Sequence, residues 1–328
     1  MAASTGQAMG EFDLIARYFT WPSPRAALGV GDDCALLQPT TGMQWAISSD
    51  MLVSGRHFFA DVDPARLGHK ALAVNLSDLA ACGAAPRAFT LALALPQIAP
   101  DWLHAFSQGL RQLADAHHCE LVGGDTTQGP LNICITVFGE VPQGAALLRN
   151  GAQVGDDIYI SGTLGEAALG LQLLQNKSAA TPAWTPTQKT QARDRLELPT
   201  PRVALGLALR GIASAAADIS DGLVGDLGHI LKGSGVGATL ETALLPAPLG
   251  LPAASHLACV LAGGDDYELV FTAPPARRAA ITAAGVSSGT QLTRIGKIDA
   301  AAGLRLRDAQ GQETGARFSA FDHFAGQP

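Results

Sequence analysis

The pattern of hydrophobic and polar positions predicts that helices and strands alternate along the whole chain. In EFDLIARYF, the hydrophobic residues Phe12, Ile15 and Phe19 recur at helical spacing, which predicts a short amphipathic helix near the start. Segments rich in β-branched and other apolar residues predict strands at MQWAISSDMLV, RAFTLALALP and LNICITVFGEV.

Helix boundaries in the first half are indicated by capping residues. Asp63 followed by Pro64 is typical of an N-cap and a first helical position, so a helix should begin there and end near Gly83. A second helix is expected from about Asp101 to His118.

The second half repeats this mixture. Strands are predicted at DDIYISG, GATLET and YELVFTA, with a final strand near LTRIGKI. Helices are predicted after SGTLGEAALGLQLL and from about Gly222 to Lys232, and the Pro-, Thr- and Gln-rich stretch 178–200 is expected to be a surface excursion. We therefore predict an α/β (α+β) protein with two domains, residues 1–146 and 147–328.

Composition narrows the functional class. The chain of 328 residues is 47% hydrophobic, and its net charge of -7 argues against a general nucleic-acid binder. No stretch resembles a signal peptide or a membrane-spanning helix, so we expect a cytoplasmic protein. The cysteines form no CxxC pair and are expected to be free thiols in a reducing compartment: Cys34, Cys82, Cys119, Cys134 and Cys259.

Aspartates recur at predicted strand ends and in glycine-rich turns. Each one alone is a common turn former or N-cap. Together, with only 22 Lys and Arg against 29 acidic residues, they favour a site for hard divalent cations such as Mg²⁺, which bind carboxylates and substrate phosphates. This set comprises Asp32, Asp33, Asp50, Asp125, Asp218, Asp221, Asp265 and Asp266, with Asp78 on a predicted helix.

Other common sites are absent from the sequence. It contains no HExxH zinc motif, EF-hand loop, P-loop, clean GxGxxG or protein-kinase signature. Arg149 could pair with a phosphate or could be an ordinary surface residue. In LAGGDDYELV, two glycines allow a sharp turn and a close backbone approach, while two adjacent carboxylates require solvent or a cation nearby.

Several segments, in order along the chain, resemble the thiamine-monophosphate kinases. They are GEFDLIARYF, VGDDCALL, SSDMLVSGRHF, KALAVNLSDLAACGA, LVGGDTTQGPL, DISDGLVGDLGHI and GGDDYELVFT, and FDHFAGQP resembles the family's ending. The resemblance implies the two-domain architecture of aminoimidazole ribonucleotide synthetase, with mixed sheets flanked by helices. It also implies ATP-dependent phosphorylation of thiamine monophosphate, assisted by several Mg²⁺ ions, in a homodimer formed through a sheet of the N-terminal domain.

The resemblance also implies roles for individual residues. The implied Mg²⁺ ligands are Asp33, Ser48, Ser49, Asp50, Asp78, Asp125, Asp218 and Asp221. The implied ATP contacts are Gly124, Asp125, Arg149 and Ser220, and the implied substrate contacts are His57, Asp265 and Phe321. His57 could instead be a satisfied loop histidine, and Phe321 could cap a core. Asp265 stands where the family often has Glu, so its contact with substrate could be direct, water-bridged or lost.

Three alternative functions follow from the same scaffold. A selenophosphate synthetase is disfavoured because the first cysteine, Cys34, follows the GDD turn, and a hydrogenase-maturation protein is disfavoured because the chain ends in FAGQP. A non-catalytic metal- or nucleotide-binding protein would bind nucleotide without forming ADP.

Overall fold

The computed structural model describes residues 10–175, 184–252 and 256–318. They form two compact units. The first contains the described residues up to Asn75 and those from Pro86 to Glu140, and the second contains residues 76–85 and those from Val141 onward. No helix within the described ranges is both long enough and apolar enough to cross a membrane.

The first unit contains a four-stranded sheet with the strand order β1-β4-β2-β3. The strands are β1 Met43–Val53, β2 Ala85–Leu95, β3 Glu120–Gln128 and β4 Asn132–Pro142. The helices are α1 Glu11–Leu14, which continues as a π-helical turn over Ile15–Phe19, then α2 Pro64–Ala81 and α3 Pro100–Ala116. Helix α2 is shared, because its residues from Leu76 onward belong to the second unit. Strands β2 and β3 are parallel, with an irregularity between Phe89 and Thr90.

Alternation of side chains along the strands separates a buried face from an open face. Ile133, Ile135 and Val137 of β4 are buried, whereas Ile47 and Met51 of β1 are exposed. Because successive strand residues point to opposite faces, one face of the sheet contributes to the core and the other stays largely uncovered.

The predicted start of α2 is confirmed. The Asp63 carboxylate accepts hydrogen bonds from the backbone N–H groups of Ala65 and Arg66, at 2.8 and 3.1 Å. Beyond the other end of the helix, Gly83 has φ +66°, the left-handed conformation that ends many helices.

The second unit contains a six-stranded sheet with the strand order β10-β7-β9-β5-β8-β6. Its strands are β5 Asp157–Ser161, β6 Ala215–Ile219, β7 Gly237–Glu241, β8 Glu268–Ala273, β9 Leu292–Asp299 and β10 Gly303–Arg307. Its helices are α4 Glu166–Leu174, α5 Pro186–Glu197, α6 Val203–Leu209, α7 Leu223–Ser234, α8 Leu257–Ala262 and α9 Arg278–Ser288. Short 3₁₀ turns occur at Thr242–Leu244, Pro248–Gly250 and Pro275–Arg277.

The core of this unit forms where α7 packs on the sheet. Leu227 and Ile230 of α7 lie in the same buried cluster as Ile219 of β6 and Val270 of β8. Strands β6 and β5 both pair antiparallel with β8, which places the end of β6 beside the start of β8. This juxtaposition brings the DISDG and GGDD segments together.

Four predictions about local structure were wrong. The GGDTT segment lies within β3 rather than in a turn, and Asp50 lies inside β1 rather than at its end. The strand near LTRIGKI is followed by another, β10. The described part of the stretch 178–200 contains helix α5, which packs against α4 and buries Ala192 and Leu196, so it is not a surface excursion. Residues 178–183 lie outside the described residues.

Candidate active site

A cavity of about 720 Å³ in the first unit brings three of the predicted residues together. It lies between the N-terminal helix, the loop of Asp32 and Asp33, and the strands β2 and β3, and its lining includes Gly124 and Asp125. We call it the acidic cavity because it is also lined by Glu11, whereas no Lys, Arg or His belongs to the described residues that line it. Carboxylates gathered without cationic side chains form an oxygen-rich surface suited to hard cations.

Gly124 is required by a close approach between two strands. Its φ is +148°, and a Cβ atom placed on it would lie 1.8 Å from the carbonyl oxygen of Leu91. A side chain there would therefore separate β3 from β2 and displace the neighbouring Asp125.

The predicted ligands on β1 do not share one face of the strand. The Ser49 hydroxyl donates to the carbonyl oxygen of Ile135 at 3.2 Å and lies 2.9 Å from the Thr136 hydroxyl. Alternation places the side chains of Ser48 and Asp50 on the other face. The backbone N–H of Asp50 donates to Asn75 Oδ1 at 3.1 Å, which ties this strand to α2.

His57 lies in the turn after β1. Its Nδ1 accepts a hydrogen bond from the backbone N–H of Val53 at 3.0 Å, so in this arrangement the ring proton is on Nε2. The local contact agrees with a satisfied loop histidine and leaves the predicted substrate contact as a prediction.

In the second unit, Asp218 is held by the end of α2. Its carboxylate is 3% exposed and accepts a hydrogen bond from the Ser77 hydroxyl at 2.9 Å. Asp78, the next residue of α2, is half-buried. Burial, and secondarily the Asp78 carboxylate, raise the pKa of the Cys82 thiol.

Ser220 and Asp221 form a loop whose backbone is organised by a buried carboxylate, Asp226. The N–H groups of Ser220 and Asp221 both donate to Asp226 Oδ2 at 3.1 Å. Burial raises the pKa of Asp226 to about 6, and the positive charge of Arg149 opposes that rise. Arg149, Ser220 and Asp221 are therefore gathered around one residue that sequence reasoning did not single out. The sequence feature that could have pointed to Asp226 is its position as a lone acidic residue in the first turn of a predicted helix.

The glycines of the GGDD segment pack against the protein's own backbone. A Cβ on Gly263 would lie 2.2 Å from the carbonyl oxygen of Cys259, and one on Gly264 would lie 2.5 Å from that of Ser220. The close approach expected from the sequence is thus made to the end of α8 and to the Ser220 loop. This packing presents the half-buried Asp265 beside that loop.

The two adjacent aspartates have different environments. Asp266 is 1% exposed and accepts a hydrogen bond from the N–H of Gly165 at 2.7 Å. Burial raises its pKa to about 8, against the effects of that hydrogen bond and of Arg195. Burial therefore favours the protonated form of Asp266, which reduces repulsion between the neighbouring carboxyl groups.

Beneath this turn lies what we call the Glu268 ion cluster, composed of Glu166, Arg195, Arg202, Asp266 and Glu268. Glu268 is fully buried, accepts from Arg195 Nη2 at 2.8 Å and Arg202 Nε at 2.6 Å, and also accepts from the Ser161 hydroxyl. Arg195 Nε lies 3.2 Å from Glu166 Oε2. Glu166 and Glu268 supply two carboxylates to the two guanidinium groups of Arg195 and Arg202, and burial favours the neutral form of Asp266.

The structure therefore gathers the predicted residues in separate groups. No three His, Cys, Asp or Glu side chains within the described ranges are close enough together to hold a metal ion by themselves. Phe321 lies outside the described residues.

Residues 31–141 match the N-terminal domain of the family described as AIR synthase related protein, and residues 153–309 match its C-terminal domain. The thiamine-monophosphate kinase of Salmonella typhimurium is 46% identical over 330 residues, covering 97% of this chain and 99% of the relative. The chain belongs to the thiamine-monophosphate kinase family.

Solved structures of this family match most of the chain. The thiamine-monophosphate kinase of Stenotrophomonas maltophilia K279a has a TM-score of 0.81 at 46% identity, covering 89% of this chain and 93% of that one. A structure described as AaThiL complexed with AMPPCP and TMP has a TM-score of 0.75 at 28% identity, covering 88% and 89%. The two-domain architecture expected from the family resemblance is thereby confirmed.

Proposed function

We propose that this protein transfers the γ-phosphoryl group of ATP to the phosphate of thiamine monophosphate, forming thiamine diphosphate and ADP. The observation that carries this function is the match to thiamine-monophosphate kinases over nearly the whole length of both chains. A relative solved with AMPPCP and TMP supports the same pair of ligands, a nucleotide and a phosphate ester.

The transfer breaks the bond between the γ-phosphorus and the oxygen that bridges it to the β-phosphate. A new bond forms between that phosphorus and a phosphate oxygen of thiamine monophosphate, and ADP leaves with the bridging oxygen. Because the acceptor is already an anionic oxygen, no serine, cysteine or histidine nucleophile is required. The main obstacle is repulsion between two anions, so positioning and charge compensation carry the catalysis.

Mg²⁺ fits the donor set of the acidic cavity, because exposed carboxylates line it and no cationic side chain belongs to its described lining. Asp33 and Asp125 would hold ions from this cavity, Ser48, Ser49 and Asp50 from β1, and Asp78, Asp218 and Asp221 from the second unit. The Ser49 hydroxyl also contacts the Ile135 carbonyl oxygen and the Thr136 hydroxyl, so a bound ion would share this oxygen with those hydrogen bonds. Bound Mg²⁺ neutralises phosphate charge and orients the reacting groups.

The remaining roles concern ATP and substrate. Gly124 and Asp125 would meet the nucleotide from the first unit, and Arg149 and Ser220 from the second. His57, Asp265 and Phe321 would contact thiamine monophosphate, with the carboxylate of Asp265 facing its cationic end. In this proposal residues 1–146 carry ATP and metal binding and dimerisation, and residues 147–328 supply the other contacts.

A homodimer is supported by the open face of the first unit's sheet. The outward residues Ile47, Met51 and Val53 of β1 are 61%, 54% and 37% exposed. Because β1 is an edge strand, it offers this apolar face to a second copy. The five free cysteines are consistent with a reducing, cytoplasmic location.

The activity is tested by incubating the protein with ATP, Mg²⁺ and thiamine monophosphate and separating the products by chromatography. We expect thiamine diphosphate and ADP in equal amounts, and neither after addition of a chelator. Nucleotide binding without either product would overturn the proposed activity and favour the non-catalytic binding protein.

A further inference from the structure

The segment Asp265–Tyr267 has an unusual backbone. Asp265 has φ +67° and Tyr267 has φ +51°, both in the left-handed region. Aspartate enters this region more readily than most residues, whereas a bulky aromatic residue seldom does. Such conformations persist only where the surrounding structure holds them, and they cluster at functional sites.

Contacts on both sides hold this backbone in place. The N–H groups of Asp265 and Tyr267 donate to the carbonyl oxygens of Ser220 and Ile219, each at 2.9 Å. Between them, the buried Asp266 carboxylate is fixed to the N–H of Gly165. Asp265 is therefore carried on a backbone that is in register with the Ser220 loop.

The unusual conformation of Tyr267 brings its hydroxyl back to Asp265. The hydroxyl donates to Asp265 Oδ1 at 3.0 Å, and Tyr267 is only 9% exposed. A buried ring cannot easily reorient, so a hydrogen bond from it restricts the rotamers of the half-buried aspartate. Hydrogen bonds to ionised acceptors are also stronger than those between neutral groups.

We infer that Tyr267 is a positioning residue for substrate recognition, whose hydroxyl holds the Asp265 carboxylate in the orientation that meets the cationic ring of thiamine monophosphate. The inference rests on the proposed function, because it assigns the partner of Asp265 within that reaction. In this role Tyr267 acts through Asp265, to which its hydroxyl is bonded.

The test compares Tyr267→Phe with a matched control, Tyr159→Phe. Tyr159 is 7% exposed, and its hydroxyl lies 3.5 Å from Asp157 Oδ2, also two residues earlier in the chain. For Tyr267→Phe we expect KM and Kd for thiamine monophosphate to rise about tenfold, the effect of one hydrogen bond to a charged group. The kcat and the KM for ATP should stay within about twofold, and the control should change none of these constants.

A double-mutant cycle separates positioning from general loosening of the turn. Asp265→Asn should weaken binding of thiamine monophosphate, and adding Tyr267→Phe to it should have little further effect, since the hydroxyl then has no carboxylate to orient. Additive losses, or a parallel rise in KM for ATP, would overturn the positioning role.

Wild-type measurements keep this inference distinct from the proposed function. If the wild-type protein forms thiamine diphosphate and Tyr267→Phe binds thiamine monophosphate normally in calorimetry, the inference alone fails. If the wild-type protein neither binds nor phosphorylates thiamine monophosphate, the proposed function fails and the inference fails with it.

Discussion

The acidic cavity and the Glu268 ion cluster both concentrate carboxylates, but they treat the charge in opposite ways. In the cavity, Asp33 and Asp125 are exposed, and no basic residue belongs to its described lining. In the cluster, Glu268 is fully buried against Arg195 and Arg202. The cavity leaves its negative charge available to an external cation, whereas the cluster neutralises its charge internally.

This difference shows how the same residue type divides between function and architecture. Exposed carboxylates lose little hydration and can exchange ligands, so they suit binding. Buried carboxylates need arginines or protons to compensate for lost hydration, so they stabilise one arrangement of the chain. Asp265 and Asp266 illustrate the division, because Asp265 is half-buried beside the Ser220 loop and Asp266 belongs to the cluster.

The largest change in stability is expected from removing the negative charge of Glu268 at the centre of the Glu268 ion cluster. Glu268→Gln would leave Arg195 and Arg202 without their shared carboxylate and should lower the free energy of unfolding by about 3–5 kcal/mol. Denaturant unfolding at neutral pH measures it, with Glu313→Gln at an exposed position as the control. A loss below about 1 kcal/mol, the usual effect of a surface ion pair, would contradict internal neutralisation.

Removing a carboxylate from the acidic cavity should affect turnover far more than stability. Asp125→Asn should reduce kcat at least about 100-fold. The amide binds cations more weakly than the carboxylate, and these cations compensate the charge of the phosphates. Stability should change by less than about 0.5 kcal/mol, since the carboxylate is exposed. Product formation and thermal unfolding are measured together, with the exposed Asp115→Asn as the control. Normal turnover in Asp125→Asn would remove this residue from the site.

The close approach of β3 to β2 at Gly124 forms part of the wall of the acidic cavity and can be tested by substitution. Gly124→Ala should destabilise the protein by about 1–3 kcal/mol, because alanine strains the φ of +148° and its Cβ collides with the Leu91 carbonyl. Gly123→Ala is the matched control, since its Cβ would meet only Thr90 Cγ2, at 3.8 Å. Equal unfolding temperatures for the two variants would show that β3 can move away from β2.

The smallest effect is a pH dependence that arises in the cluster. The pKa of Asp266 is about 8 in the folded protein, against 3.8 for an ordinary aspartate. Unfolding therefore releases a proton at pH values between 3.8 and about 8. Its contribution to stability is therefore present at low pH and is lost as pH rises towards 8, with a slope of at most about 1.4 kcal/mol per pH unit.

The pH range 6–8 is chosen because Asp226, whose pKa is about 6, contributes mainly below it. Burial lowers the pKa of His117, which also titrates near this range, so Asp266 is separated from it by comparison with Asp266→Asn. Denaturant unfolding across the range should give a steeper decline for the wild-type protein than for Asp266→Asn. Parallel curves would indicate that Asp266 is already ionised in the folded protein.

Local sequence patterns predicted many of the helices and strands, because the residues that start, stop or favour each of them lie within a few positions of one another. The strand predicted at MQWAISSDMLV corresponds to β1, and the Asp63–Pro64 start of α2 is confirmed by capping hydrogen bonds. Helix α5 was missed although its signal was present. Thr185 and Gln188 form a capping box, and Pro186 occupies the first turn, but a polar composition masked the buried face of the helix.

The sequence by itself determined the family, the two-part α/β organisation and the set of candidate aspartates. The family follows from motifs, the organisation from periodicity, and the set of aspartates from composition. Only the tertiary structure decided which aspartates became cluster members and which stayed exposed. Arg195 of α5 lies 73 residues before Glu268 of β8 in the chain, and the fold brings Arg195 Nη2 to 2.8 Å from Glu268 Oε1. Charge compensation depends on distance and burial, and both are set by packing between segments far apart in sequence.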